Sequence, residues 1–416
     1  MRLSLNLMHD TSLAGGHLEN RTFDLYQNAR AVERGTYPFT QVLSAAGAKR
    51  ALSEITRWQG YVPTPLRNLS ILAASAGVRA VLYKDEAFRF ALGSFKALGG
   101  AYAVGRLLQK LLSDRLHRDI NMDELTNPLY SDWIRGITVA CASDGNHGRS
   151  VAAAAHRFGC CCSIFLHAGV SVPRERAISD LGAAVVRTPG TYDDSVRAAV
   201  STSRSHGWHV IADTADDPAD SMPIDVMHGY MILVIEALEQ LRDSGSPPPT
   251  HVFLQGGVGG LAAAVTSYLW ETLGPHKAPI FILVEPRRAD CLYQSARNGA
   301  PTSAKGDLNT LMAGLSCGEV SRVAWPILQA GAEFFMTIED PAAVECMRLL
   351  RQGTLGDGSI IAGESGVAGL AGFLAAVKDP TGDTFRQLRL GASSSVLLIG
   401  TEGATDPDIY EELTKT

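Results

Sequence analysis

The sequence predicts an α/β protein with mostly parallel sheet, and three observations carry the prediction. Short apolar segments alternate with longer amphipathic ones from about residue 81 onward. Two glycine-bearing turns, Ser143–Gly148 and Gln255–Gly260, each sit between a strand-like and a helix-like stretch. The chain of 416 residues is 46% hydrophobic and 19% charged, which supplies a large core and excludes a disordered or collagen-like chain.

Residues 1–60 show no clear pattern before the Pro-punctuated run Tyr61-Val62-Pro63-Thr64-Pro65-Leu66. Val81–Lys84 reads as a strand. Ser94 is a candidate N-cap, so a helix runs to about Leu112 with Lys96 in its first turn. Residues 113–134 are polar and irregular and read as a surface excursion. Strands are then expected at 137–140, 162–166, 183–187 and 208–212, with helices at 148–158, 173–182, 192–206 and 224–243. Beyond the stiff turn Pro247-Pro248-Pro249 come strand 251–254, helix 260–273 and strand 280–284, then further helices and a last strand at 396–399. This length suggests two to three domains at roughly 150 residues each, with a ligand in the cleft between two lobes.

The balance of 37 basic and 43 acidic residues gives a formal charge of -6 without any basic run, which argues against nucleic acid or an anionic membrane as partner. Charge or glycine breaks the apolar stretches short of the roughly 18 residues a spanning helix needs. The segment Met1–Asn6 has no signal-peptide apolar region, so a cytoplasmic protein is expected. Seven cysteines make no disulfide framework. Cys160, Cys161 and Cys162 lead into a strand, point to alternate faces and are expected to pack in the core rather than hold a metal. Cys291 and Cys317, each in a loop-like stretch, read as two reduced thiols. The eleven histidines show no metal-ligand spacing, and His147 reads as structural.

The loop Gln255-Gly256-Gly257-Val258-Gly259-Gly260 is suited to phosphate, because glycine lets backbone N–H groups approach closely at a helix N-terminus. Gly257–Ala262 also fits the dinucleotide fingerprint, and Glu285 ends the next strand where a ribose-binding acid could sit. A nicotinamide-dependent oxidoreductase is therefore a rival reading. Lys96 either snorkels to solvent or serves as a Schiff-base lysine, its pKa lowered by the helix terminus and an apolar setting. Ser143, Asp144 and Asn146 cluster at a second strand–helix junction, where Asp144 either caps the helix or transfers protons. Gly314-Leu315-Ser316-Cys317-Gly318 matches a hydrolase nucleophile elbow but lacks the strand that should precede it.

Together these motifs resemble the fold type II pyridoxal 5'-phosphate enzymes, the group of tryptophan synthase β, threonine dehydratase and cysteine synthase. More narrowly they resemble the diaminopropionate ammonia-lyase family. Ser94-Phe95-Lys96-Ala97-Leu98-Gly99, Ser143-Asp144-Gly145-Asn146-His147-Gly148-Arg149, His228-Gly229-Tyr230, the glycine loop, Ala289-Asp290-Cys291, Cys317-Gly318-Glu319 and Thr401-Glu402-Gly403 carry the likeness, in order, from about residue 60 to 406.

The resemblance implies two lobes with mostly parallel sheets and the cofactor in the cleft, a large domain of residues 1–100 with 231–416 and a small domain of residues 101–230. Lys96 would bind the cofactor through its amine and act as α-proton base. Asn146 would meet the cofactor's phenolic oxygen, Gly256, Gly257, Val258, Gly259 and Gly260 its phosphate, and Thr401 its pyridine nitrogen. Ser143 would grip the substrate carboxylate, Asp144 would be a second base on the opposite face or the acid for the leaving amine, and Asp213 would pair with the β-ammonium. The implied reaction converts 2,3-diaminopropionate to pyruvate and ammonia, in a homodimer.

One departure stands out. After Asp213-Thr214-Ala215 the family usually continues Trp-Glu-Gly-Tyr, whereas this chain reads Asp216-Asp217-Pro218-Ala219 and then Asp220. Either a surface loop has drifted or the pocket is remodelled for a different β-substituted amino acid, by elimination or β-replacement. A ligand-binding protein that kept the fold without the chemistry is the remaining alternative.

Overall fold

The computed structural model describes residues 22–32, 35–143, 145–214 and 220–415. Eleven strands lie among them: β1 Phe23–Gln27, β2 Leu66–Asn68, β3 Ala80–Asp85, β4 Thr138–Ala142, β5 Cys161–His167, β6 Ala184–Thr188, β7 His209–Val210, β8 His251–Gln255, β9 Ile280–Pro286, β10 Phe334–Ile338 and β11 Ser395–Gly400. They form a seven-stranded sheet, β1-β10-β9-β8-β11-β3-β2, and a four-stranded sheet, β6-β5-β4-β7. Only the two outer pairs of the larger sheet, β1 with β10 and β2 with β3, run antiparallel. The α/β class with mostly parallel sheet is thus observed.

Its cause is visible in the strands themselves. His251–Gln255 and Ser395–Gly400 are buried at every position, as expected of parallel strands covered on both faces by crossover helices. The helix Lys96–Leu116 packs on the helices Asn146–Phe158 and Ser221–Asp243. The last of these is the one helix among the described residues long and apolar enough to cross a membrane, contrary to the expectation from broken apolar stretches; 72% of its apolar window is buried inside the protein, so it is a core element.

Several expectations need correction. β1 and β2 are short outer strands, too brief for a period-2 pattern to register. Phe334–Ile338 fell within a region expected to be helical, because a short buried run with four apolar residues of five fits a helix segment as well as a strand. Residues 113–134 are no loose excursion: helix Lys96–Leu116 extends into them, a 3-10 turn follows at Met122–Thr126 and a short helix at Ser131–Arg135. Met122 and Leu125 are buried there. Of the cysteine triplet, Cys160 and Cys162 are buried but Cys161 is exposed, which is the alternation a strand imposes. Cys291 is not in a loop; it opens the helix Cys291–Asn298, fully buried, with its thiol donating to the Gly257 carbonyl at 3.4 Å.

A charged cluster sits in the interior beside β3. Glu236 accepts from Lys84 Nζ at 2.7 Å, from both terminal nitrogens of Arg89 at 2.7 Å, and from the Tyr61 hydroxyl at 2.8 Å. Arg89 also donates to Glu86, and Lys84 to the Thr64 carbonyl. Each charge is buried and paired, which is the condition for tolerating it there. The cluster fixes helix Ser221–Asp243 to the end of β3.

Candidate active site

A cavity of about 130 Å³ opens at the C-terminal ends of β4, β8 and β11, the position where open α/β sheets bind ligands. Lys96, Ser143, Asn146, Asp213, Gly256, Gly257, Val258, Gly260 and Thr401 all line it. Gly259 stands behind the loop against Leu328. Asp144 lies outside the described residues, as do residues 215–219 of the divergent loop. Asp220, the last residue of that loop, caps helix Ser221–Asp243 by accepting from the Met222 N–H at 2.9 Å.

Lys96 begins its helix as expected, with its N–H donating to the Ser94 hydroxyl at 3.2 Å. The Phe95 N–H donates to the Thr401 carbonyl at 3.0 Å, which holds this turn against the end of β11. The Lys96 amine donates to Asp213 Oδ2 at 2.5 Å. That contact overturns the expected low pKa: burial does work against the ammonium, but the adjacent Asp213 carboxylate outweighs it and holds the amine well above its ordinary range. Burial likewise raises Asp213, yet the Lys96 charge prevails and keeps the carboxyl well below the usual carboxylate range.

Ser143 organises the described part of the second junction. Its Oγ accepts from the N–H groups of Gly145 at 2.9 Å and Gly148 at 2.8 Å. Both acceptor sites of the hydroxyl are thereby used, and its own proton is left to donate. Asn146, first residue of helix Asn146–Phe158, donates to Glu402 Oε2 at 2.5 Å. The next residue, His147, has Nε2 2.8 Å from the Ile211 carbonyl. Burial pushes its pKa down, so the neutral ring carries its proton on Nε2 and presents a bare Nδ1.

Across the cavity, Gly256–Gly260 turns from β8 into the helix Gly260–Leu273, which has no side-chain cap. Gly257 and Gly259 hold φ of 60° and 99°, left-handed values that favour glycine. A side chain at Gly256 would bring its Cβ to 2.4 Å from Glu285 Cγ. The uncapped helix start and close-set backbone suit a phosphate.

Glu285 is no ribose ligand. It is 1% exposed, and its oxygens accept from the backbone N–H groups of Leu292 at 3.0 Å and Tyr293 at 2.7 Å. Burial raises it to about 8 despite those donors. The nicotinamide reading loses its acid. Ser316 follows a 3-10 turn, Ala313–Leu315, and donates to the Leu308 carbonyl at 2.7 Å, so the elbow geometry is also absent.

Reading the sequence gave no role to Arg174 or Gln255, which line the cavity, or to Glu364, which Arg174 contacts. Arg174 reaches across to Glu364 at 2.8 Å, and Glu364 is lifted to about 7 by burial and the nearby Glu402. Only the fold brings these distant residues together; Gln255, which opens the glycine loop, was the one within reach of a local signal.

The profile of the family "Pyridoxal-phosphate dependent enzyme" matches residues 57–385. The chain is 39% identical over 396 residues to a diaminopropionate ammonia-lyase of Salmonella typhimurium, covering 93% of this chain and 96% of that protein. The crystal structure of holo diaminopropionate ammonia lyase from Escherichia coli superposes with a TM-score of 0.85 at 37% identity, covering 94% of this chain and 96% of that one. The same enzyme in complex with an aminoacrylate-PLP azomethine reaction intermediate gives 0.84, covering 95% and 97%. The chain belongs to the pyridoxal-phosphate dependent enzymes of fold type II and, among them, to the diaminopropionate ammonia-lyase family.

Proposed function

We propose that this protein uses pyridoxal phosphate to eliminate ammonia from 2,3-diaminopropionate, giving pyruvate and a second ammonia. The carrying observation is the Lys96 amine, 2.5 Å from Asp213, in one cavity with the uncapped glycine loop. The cavity suits the cofactor chemically. An amine able to bond an aldehyde faces backbone N–H groups able to take a phosphate. Two buried polar atoms of residues that line it, Gln255 Oε1 and the Tyr230 hydroxyl, have no partner among the described residues, which a polar ligand could supply. When bound, pyridoxal phosphate supplies the electron sink that stabilises charge developing at the substrate's α-carbon.

In this reading Lys96 holds the cofactor and, once freed by substrate, takes the α-proton of one enantiomer on Nζ. Asp144 takes it from the other face for the second enantiomer. Asn146 and Thr401 orient the cofactor ring, Gly256–Gly260 its phosphate, and the Ser143 proton donates to the substrate carboxylate. Asp213 faces the β-ammonium, which departs as neutral ammonia with the electron pair of the broken C–N bond. The released enamine then hydrolyses to pyruvate and the second ammonia.

The large domain would comprise residues 1–100 with 231–416 and the small domain 101–230, in a cytoplasmic homodimer that light scattering can test. A second reading keeps the same cofactor site but another β-substituted amino acid, and the run Asp216-Asp217-Pro218-Ala219 favours it. Pyruvate release from each enantiomer of diaminopropionate distinguishes the two. No pyruvate from either, with turnover of O-acetylserine, would reject the ammonia-lyase assignment. Asp144→Asn is expected to affect the two enantiomers unequally, and equal losses would remove its role as a face-selective base.

A further inference from the structure

Tyr230 is 2% exposed, yet its hydroxyl has no hydrogen-bond partner among the described residues. A buried, unsatisfied hydroxyl is costly and calls for an explanation. The hydroxyls of Tyr83 and Tyr410 are unsatisfied too, but neither residue lines the cavity, whereas Tyr230 does. Its ring is clamped. Phe95 lies 4.6 Å away between centroids, and on another side the ring rests so closely on Gly99 that a Cβ there would come 2.4 Å from Cε1. The hydroxyl therefore has a fixed direction. It is within electrostatic reach of both Lys96 and Asp213. Burial keeps the phenol protonated, so it offers one donor and two acceptor sites.

We propose that the Tyr230 hydroxyl and the Asp213 carboxylate together form a two-point seat for the β-ammonium of the substrate, making Tyr230 a specificity-determining residue. The inference rests on the diaminopropionate reading above and adds the group that recognises the leaving amine. Asp213 alone supplies charge without direction. A second acceptor on a rigid ring fixes the C–N bond, and an ammonium has N–H groups enough for both oxygens. A substrate whose β-substituent has no N–H cannot donate to the phenol oxygen and loses that half of the seat.

The test compares Tyr230→Phe with the unmodified holoenzyme on diaminopropionate and on β-chloroalanine. Phenylalanine keeps the ring packing and removes only the oxygen. The expected result is a fall in kcat/KM on diaminopropionate of about 10-fold to 100-fold, carried mainly by KM. The β-chloroalanine reaction should change by less than about threefold, and the visible band of the bound cofactor should persist. Parallel losses on both substrates, loss of the cofactor band, or no change on either would overturn the seat. If the variant does not fold, spectral titration of the unmodified holoenzyme decides. Diaminopropionate should bind at least about tenfold tighter than 2-aminobutyrate, which lacks the β-amine, and equal affinities would refute the proposal. Unmodified enzyme that yields no pyruvate from diaminopropionate sinks the underlying reading; an active enzyme with an unselective Tyr230→Phe sinks only this one.

Discussion

Lys96 Nζ and Asp213 Oδ2 are 2.5 Å apart, a lysine and an aspartate that hold each other's charge inside the cavity. If Lys96 binds the cofactor as proposed, uptake requires its neutral amine, and the ion pair with Asp213 retards loading. Replacing it by asparagine removes the carboxylate and lets burial pull the lysine pKa down. Cofactor-free Asp213→Asn should load pyridoxal phosphate faster at neutral pH, by about tenfold for each unit the lysine falls. Growth of the visible band after mixing measures it. Turnover should drop by a factor on the order of 100 in the same variant. Loading no faster than in the unmodified protein would contradict the ion-pair account.

Glu236 balances two interior cations, Lys84 and Arg89. Glu236→Ala leaves Lys84 without a bonded carboxylate and Arg89 with Glu86 alone, and urea unfolding should show a loss of about 3–5 kcal/mol. A change below about 1 kcal/mol would mean that water enters the cluster.

Glu285 gives stability a pH dependence of definite sign. Its folded value of about 8 lies above its ordinary 4.5, so between those limits the folded protein holds a proton that the unfolded chain has released. This group's contribution therefore weakens as pH rises from about 4.5 to about 8. Glu285→Gln should flatten that part of the profile of unfolding temperature against pH. An unchanged slope would show the carboxyl to be ionised in the folded state.

Gly256→Ala tests the cradle without replacing a titratable side chain. The new methyl would meet Glu285 Cγ at 2.4 Å, so the loop or the glutamate must shift. Overpacking of this kind costs about 1–3 kcal/mol. Thermal unfolding should record that loss, and dialysis should strip the cofactor faster than from the unmodified enzyme.

What could be read from the chain was local. The glycine loop and the strand at 251–254 each announce themselves within a few neighbouring residues and are found in place, whereas the helix expected to be capped by Ser94 has Phe95 at its N-cap, with Ser94 Oγ accepting from the Lys96 N–H. Motif order also brought the family into view. The protonation of Lys96 was misjudged because its controlling group, Asp213, is 117 positions away and only the fold brings it close. Arg89 and Glu236 meet across 147 positions for the same reason. Tyr230 stood in a quoted motif without a role, since its unsatisfied hydroxyl becomes visible only once Gly99 and Phe95 fix its ring.

Tyr230 and Glu236 share the helix Ser221–Asp243, six positions or about 9 Å apart along one stiff rod. The phenol's aim is consequently inherited from an anchorage it never touches. A variant selected for heat tolerance at Lys84, Arg89 or Glu236 would be expected to change substrate discrimination as well, because durability and selectivity are set by the seating of a single axle.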